Sequence, residues 1–352
     1  MDMSLQAVCE RIQTPDSRVL AQAQARLDRL TKPQGSLGRL EEMAAWYVMI
    51  TGELKPPVPR GAVFTFAADH GVTREGVSAY PREVTPQMVL NFLRGGAGVN
   101  VLARHAGVDV MVVDIGVDYD FGNAPGLIAK KVMRGTGNLL IEPAMTRAQA
   151  EQALMVGVEL STQAVRDGIG LIGTGEMGIG NTTSSAAITA VMTGRSVAEV
   201  TGRGTGIDDA GHARKVSVIQ RALDLHRPNR TDALGLLATV GGLEIAGLAG
   251  LMLGAAAARV PVVLDGFIAG AAALVAVGLQ PRCRDYLIAS HQSVERGHHA
   301  ILEHLALKPL LDLDLRLGEG TGACLGMSLV FASIKIYTEM ATFGEAGVSE
   351  KA

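Results

Sequence analysis

Three glycine-rich segments carry side chains that could hold or transform a ligand. The first is residues 173–178, with Glu176 inside it, and Asn181, Thr182 and Thr183 follow just before an apolar helical stretch. Glycine backbone with hydroxyl and amide donors at a helix start suits one phosphate group. The spacing also fits the GxGxxG dinucleotide fingerprint, although a carboxylate at Glu176 would repel a pyrophosphate. Both interpretations stay open on spacing alone.

The second and third segments add an ammonium and another carboxylate. Residues 202–209, which include Gly204, precede Lys215, whose ammonium could meet the same phosphate or could be an ordinary solvated helix charge. In residues 316–322, Glu319 stands between glycines ahead of a long apolar helix. A carboxylate is costly to desolvate in such a place, so we expect a role for the carboxylate itself or, alternatively, an interaction with a helix N-terminus.

A fourth polar stretch begins at Asp69-His70, at the end of an expected strand. We interpret Asp69 as a hydrogen-bond acceptor that fixes a loop. Tyr80, Gln87 and Met88 are candidate walls for a flat ring, or else ordinary turn and core residues. The sequence has no HExxH, paired CxxC, GxSxG or P-loop motif, which disfavours metal-dependent, serine-hydrolase and ATP-driven chemistry. We expect no metal and no cofactor.

The elements that must position these residues read as β–α units. Short apolar runs end in Gly or Asp and lead into helical stretches, as in a parallel sheet buried on both faces. Strands are expected at residues 62–67, 108–115, 168–173, 260–264 and 286–289. Helices are expected at residues 16–30, 39–50, 86–103, 147–166, 182–192, 243–258, 267–277 and 322–340, with Thr85 as the N-cap before Pro86. Ligands should then lie beyond the carboxyl ends of the strands.

Composition narrows the class further. The chain has 352 residues, 48% of them apolar, a net charge of −3 and three scattered cysteines. That balance predicts a folded protein with small-molecule partners rather than nucleic acid. The start lacks a signal-peptide pattern, and residues 245–258 are too short an apolar run to span a bilayer. We therefore expect a cytoplasmic protein without membrane contact and with reduced thiols.

Taken together, these segments resemble one family, the nicotinate-nucleotide:dimethylbenzimidazole phosphoribosyltransferases of cobalamin lower-ligand synthesis. The resemblance runs in the family's order over nearly the whole chain. It rests on residues 32–39 (KPQGSLGR), 68–71 (ADHG), 175–183 (GEMGIGNTT), 240–242 (VGG), 264–267 (LDGF), 290–291 (SH) and 316–322 (RLGEGTG).

The resemblance implies a homodimer of Rossmann-like α/β subunits, with helices on both faces of a parallel sheet and a small helical subdomain. Residues 1–60 and 321–352 would form that subdomain, and residues 61–320 the nucleotide- and base-binding domain. The implied reaction moves ribose 5-phosphate from nicotinate mononucleotide to a benzimidazole-type base with inversion at C1′. Two alternatives remain: an NAD(P)-dependent oxidoreductase using residues 173–178, and a non-catalytic nucleotide-binding protein.

The resemblance also implies roles for single residues. Glu319 matches the family's general base and Glu176 the acid in the nucleotide loop. At the wall of the base pocket a serine is expected where Tyr80 stands, and the glutamine falls at Gln87 rather than one position later. The base-binding set is Tyr80, Gln87, Met88 and Leu317. The nucleotide-binding set is Gly175, Gly178, Asn181, Thr182, Thr183, Gly204, Lys215, Asp265, Ser290 and Gly320.

Overall fold

The structure is a computed structural model that describes residues 4–204 and 206–349. Its centre is a sheet of six parallel strands. In chain order these are β1 (Arg60–Ala68), β2 (Asp109–Gly116), β3 (Leu127–Ala129), β4 (Ile169–Met177), β5 (Val262–Leu264) and β6 (Leu287–Ala289). A small second sheet pairs β7 (His291–Gln292) with β8 (Leu311–Asp312).

The strands lie in the order β3-β2-β1-β4-β5-β6. The chain winds outward from β1 in one direction and then returns to wind the other way from β4, so the order reverses between these two strands. This is the doubly wound order of Rossmann-like folds, in which the crevice at the reversal point is the usual ligand site. The Rossmann-like α/β class expected from the sequence is confirmed.

The helices in chain order are α1 (Leu5–Arg11), α2 (Ser17–Leu27), α3 (Arg39–Thr51), α4 (Val84–Leu93), α5 (Gly98–Ala106), α6 (Arg147–Arg166), α7 (Asn181–Thr193), α8 (Val197–Val200), α9 (Asp209–His226), α10 (Ala233–Val240), α11 (Leu243–Ala257), α12 (Phe267–Leu279), α13 (Arg296–His304), α14 (Thr321–Glu339) and α15 (Phe343–Ala346). Helices cover both faces of the sheet, so alternate residues of β1 enter two different cores. Phe64 and Phe66 pack in one core with helices α6, α11 and α12, and Val63 and Ala67 pack in the other with α4, α5 and α14.

All five expected strands are present, but one expected helix is wrong. The stretch 86–103 is two helices, α4 and α5, because the chain turns at Gly95 with a φ of 77° between them. The expected cap is also wrong. Helix α4 begins at Val84, before Thr85, and the Thr85 hydroxyl is buried, where it accepts a hydrogen bond from the Ile179 amide at 3.2 Å.

Helix α14 has the length and the mean hydropathy (1.3) of a membrane span, with 56% of that window buried. It packs against α3, α5 and strands β1, β4 and β5, as a core helix does. Its far end joins a small apolar cluster in which Tyr337 meets Leu27 of α2 and Val48 of α3. The division into the three segments 1–60, 61–320 and 321–352 stays a prediction.

Candidate active site

A cavity of about 410 Å³ opens at the carboxyl ends of β1, β4 and β5, where the strand order reverses. Its volume lies in the range of small-molecule sites. The lining residues are Tyr80, Val84, Met88, Glu176, Met177, Gly178, Ile179, Asn181, Thr182, Gly204, Gly266, Phe267, Ile268, His291, Ser293, Glu295, Arg316, Leu317, Gly318 and Glu319. The cavity therefore brings together residues from all three glycine-rich segments.

Glu319 is held rigidly in the loop before α14. Its φ is +64°, a left-handed backbone that costs a non-glycine residue about 1–2 kcal/mol. The Glu319 carbonyl accepts a hydrogen bond from the Thr65 hydroxyl at 2.9 Å, and it packs so closely on Gly175 of β4 that a Cβ there would overlap it. Strain of this kind persists where the surroundings over-determine the backbone, often at functional sites.

The carboxylate of Glu319 lies in the cavity wall and is only 5% exposed. One oxygen accepts a hydrogen bond from the Val99 amide, at the start of α5, at 3.1 Å. Burial raises the pKa of this carboxyl, although the amides of Val99 and Gly98 oppose the rise. The alternative that Glu319 interacts with a helix N-terminus is therefore also correct, although the helix is α5 rather than α14. Because its pKa is raised, the ionised carboxylate is more basic than that of an ordinary glutamate.

Glu176 is the second carboxyl group in the cavity. Burial raises its pKa to about 8, and the nearby carboxylates of Asp265, Glu244 and Glu319 add to the rise. Asn181 opposes it by donating a very short hydrogen bond to the Glu176 carboxyl. Glu176 therefore carries a proton at neutral pH, and a cationic ligand beside it would favour release of that proton.

The opposite corner offers hydrogen-bond donors. The Lys215 ammonium is buried and donates to the Thr182 hydroxyl at 2.7 Å, so the interpretation of Lys215 as a solvated charge is wrong. Burial lowers the pKa of this ammonium to about 8. A Cβ on Gly204 would lie 3.1 Å from Lys215 Nζ, which places the second glycine-rich segment beside the first. Thr205 lies outside the described residues.

The apolar side of the cavity includes Tyr80, Met88 and Leu317, as expected from the sequence, together with Val84. Tyr80 is 54% and Leu317 59% exposed, so both stand at the mouth. Gln87 does not line the cavity, and its side chain is exposed.

Six of the expected nucleotide-binding residues do not line the cavity; one is Lys215, which reaches it only through its bond to Thr182, and the other five lie behind the wall. Asp265 is buried and accepts hydrogen bonds from the amides of Gly320, Gly322 and Ala323, so its carboxylate caps the start of α14. Burial raises the pKa of Asp265 to about 7. The others are Gly175, Thr183, Ser290 and Gly320, which are also absent from the lining.

Eleven of the twenty lining residues were missed in the sequence, among them Phe267, His291, Ser293, Glu295 and Arg316. Phe267, His291 and Arg316 stand in segments that carried the family resemblance, and the first two follow the ends of expected strands. The rule that ligands lie beyond strand ends could have found these two. The other three depend on how loops fold back.

A buried polar array supports the loop after β4 from behind. His70 lies 2.7 Å from the Glu244 carboxylate through Nε2 and 3.2 Å from the Ser184 hydroxyl through Nδ1. The side chains of His70 and Glu244 are fully buried. The neighbouring Asp69 carboxylate accepts the Asp118 amide at 2.8 Å, which confirms its interpretation as a loop-fixing acceptor.

The dinucleotide interpretation of residues 173–178 is not supported by the geometry. Strand β4 continues to Met177, so Gly173 and Gly175 belong to the strand and not to a turn after it. A Cβ on Gly173 would press on Val63, and one on Gly175 would overlap Glu319. These glycines make room for neighbouring backbone and side chains, whereas the fingerprint requires a tight turn that faces a pyrophosphate.

Comparison with known proteins agrees with this geometry. A family model described as "Phosphoribosyltransferase" matches residues 12–348. The chain is 60% identical over 345 residues to the nicotinate-nucleotide–dimethylbenzimidazole phosphoribosyltransferase of Geobacter sp. strain M21, which covers 98% of this chain and 99% of the relative. It is 61% identical over 336 residues to the same-named protein of Chloroflexus aggregans, with 96% and 95% covered.

The fold is similar to a solved structure as well. The crystal structure of CobT from Thermus thermophilus superposes with a TM-score of 0.91 at 50% identity, covering 95% of this chain and 100% of that one. The matches extend over nearly the full length of both chains and include every segment that forms the cavity. The chain belongs to the nicotinate-nucleotide–dimethylbenzimidazole phosphoribosyltransferase family.

Proposed function

We propose that this enzyme transfers ribose 5-phosphate from nicotinate mononucleotide to 5,6-dimethylbenzimidazole or a related base, giving an α-ribazole 5′-phosphate and nicotinate. One observation supports this best. Two buried carboxyl groups, Glu176 and Glu319, line one cavity between an apolar mouth and a corner of hydroxyl and amide donors, and the Lys215 ammonium contacts that corner through Thr182. The names of the two relatives described above contain both substrates, nicotinate nucleotide and dimethylbenzimidazole.

The donor corner would bind the phosphate. Lys215 supplies an ammonium through its bond to Thr182, and the backbone at Gly204 and at the start of α7 supplies amides. Gly178 and Asn181 would face the ribose from the same side. Holding the phosphate here fixes C1′ in the middle of the cavity, because the sugar spans the distance between the phosphate and the departing ring.

The apolar mouth would hold the acceptor base against Tyr80, Met88 and Leu317. A benzimidazole nitrogen attacks C1′ with its lone pair while the other ring nitrogen loses its proton. Glu319 takes that proton, and its raised pKa suits this task better than that of an ordinary carboxylate.

The bond from C1′ to the nicotinate nitrogen breaks as the new bond forms, and its electron pair leaves with nicotinate. Because attack comes from the face opposite the leaving group, the anomeric carbon inverts from β to α. The sugar carries positive charge at this stage, which an ionised Glu176 would stabilise. Binding of the cationic pyridinium favours that ionisation. Asp265, Ser290, Thr183, Gly175 and Gly320 would act from behind the wall by holding these loops.

The direct test is a chromatographic assay of purified protein with nicotinate mononucleotide and dimethylbenzimidazole. We expect equal amounts of nicotinate and α-ribazole phosphate, and no nicotinate when the acceptor is left out. Absence of both products under all conditions that keep the protein folded would refute the proposal. A competition among dimethylbenzimidazole, benzimidazole, adenine and phenol then identifies the preferred acceptor.

We further propose that the enzyme is a cytoplasmic homodimer. This rests on the family resemblance and on the near-full-length similarity to the relatives. Light scattering on the eluted protein tests the assembly, and a mass close to one chain of 36.7 kDa would contradict it.

A further inference from the structure

His291 lines the cavity and has no part in the proposed mechanism so far. It begins β7, and its side chain is 2% exposed. The imidazole packs on the first turn of α14 so closely that a Cβ on Gly322 would overlap the ring. Pairing of His291 with Leu311 of β8 fixes its backbone as well. The ring is therefore held in one orientation before any ligand arrives.

The Ser290 hydroxyl bridges the His291 ring and the main chain. It lies 2.9 Å from His291 Nδ1 and donates to the Asp265 carbonyl at 3.4 Å. A hydroxyl has one hydrogen, so with that hydrogen on the Asp265 carbonyl the bond at Nδ1 is donated by a ring N–H. Burial lowers the pKa of His291 to about 4, so the ring is neutral. In this tautomer Nε2 carries a lone pair and no proton.

That lone pair has no hydrogen-bond partner among residues 4–204 and 206–349. The Nε2 edge of the ring lies beside Gly266 and Ser293, which also line the cavity. A Cβ built on Gly266 would lie 3.6 Å from His291 Nε2 and 3.8 Å from the Cβ of Ser293. An acceptor at a cavity wall with no protein partner is available to a donor on the ligand.

The chemistry of the donor substrate leaves few choices. In nicotinate mononucleotide the phosphate and the carboxylate are acceptors only at neutral pH, and the pyridinium ring has no N–H. The ribose 2′ and 3′ hydroxyls are its hydrogen-bond donors. Resting on the proposed function, we infer that His291 takes the tautomer whose Nδ1–H donates to Ser290 and that its Nε2 accepts a hydrogen bond from a ribose hydroxyl of the bound nucleotide.

The test combines enzyme variants with substrate analogues in binding titrations, without an acceptor base. Nicotinate mononucleotide, its 2′-deoxy analogue and its 3′-deoxy analogue are titrated against wild type, His291→Ala and His291→Gln. Wild type should bind one deoxy analogue about three- to tenfold more weakly than the parent. His291→Ala should bind the parent more weakly by the same factor and should no longer distinguish that analogue. His291→Gln keeps an acceptor oxygen and should retain part of the discrimination.

The matched control is His299→Ala, which removes an exposed histidine on α13 outside the cavity. It should behave as wild type with all three ligands. The inference is overturned if wild type binds both deoxy analogues as tightly as the parent, a result that does not depend on any variant folding. It is also overturned if His291→Ala keeps the full wild-type discrimination. Failure of wild type to bind the parent nucleotide would instead refute the proposed function.

Discussion

Replacing Glu319 by glutamine removes the proposed base and leaves the site otherwise in place. The amide oxygen of glutamine can still accept the Val99 N–H that the carboxylate now accepts at 3.1 Å. The backbone contacts of residue 319 with Thr65 and Gly175 do not involve the side chain. What changes is the ability to take a proton from the incoming base.

General-base catalysis contributes about 10²- to 10⁴-fold in rate. We therefore expect turnover of Glu319→Gln to fall by about that factor, which corresponds to about 3–5 kcal/mol of activation free energy. Nicotinate mononucleotide should still bind within about threefold of the wild-type affinity, because the variant keeps the donor corner. Nicotinate release followed by chromatography gives the rate, and a binding titration gives the affinity.

The pH profile separates loss of a base from general damage. In wild type kcat/KM should fall as the pH drops through the raised pKa of Glu319, above the ordinary value of 4.5. The limb that Glu319 sets should be absent from Glu319→Gln, whereas the one set by ionisation of Glu176 should be common to both proteins. Glu339→Gln, which changes an exposed glutamate at the far end of α14, is the control and should match wild type. Turnover of Glu319→Gln within threefold of wild type would refute the assigned role.

Three further predictions concern the surroundings of the cavity. The pKa of Glu176 is about 8 in the folded protein against an ordinary value of 4.5, so the stability of the wild type falls as the pH rises from 4.5 to 8. The melting temperature of Glu176→Gln relative to wild type should therefore increase from pH 5 to pH 8. A difference in melting temperature that does not change with pH would contradict this. His70→Ala leaves Glu244 buried without its partner and should lower the free energy of unfolding, measured by urea titration, by about 3–5 kcal/mol. A loss below 1 kcal/mol, roughly the value of an exposed pair, would show that the pair does not stabilise the fold. Lys215→Met should weaken nucleotide binding by at least about tenfold, since hydrogen bonds to charged groups contribute about 1.5–3 kcal/mol. An unchanged affinity would show that the phosphate does not bind beside Lys215.

Fold class and most long elements follow from the sequence because their patterns are local. Helix α6 is expected at residues 147–166 and is found at Arg147–Arg166. Strands β3, β7 and β8 escape prediction because no apolar run longer than three residues marks them, whereas β5 and β6, with three residues each, lie in the apolar runs 260–264 and 286–289. The order of the strands cannot be derived from periodicity either, since it is decided by which apolar faces pack together.

The candidate site divides in the same way. Glycine contexts point to Glu176 and Glu319 as unusual carboxylates. Their partners are invisible in the sequence, because the contact between Glu319 and Val99 joins residues 220 positions apart. Asp265 shows a further limit of prediction from the sequence. A carboxylate at a strand end suggests a ligand contact, but this one accepts hydrogen bonds from the first amides of α14.

The clamp on the loop at Glu319 has a consequence for kinetics. Thr65 and Gly175, on two different strands, contact the backbone of Glu319, and the Val99 amide of α5 donates a hydrogen bond to its carboxylate. The carboxylate therefore needs no lid movement to reach its working position. Increasing solvent viscosity should therefore slow only the arrival and escape of substrates and leave single-turnover chemistry untouched.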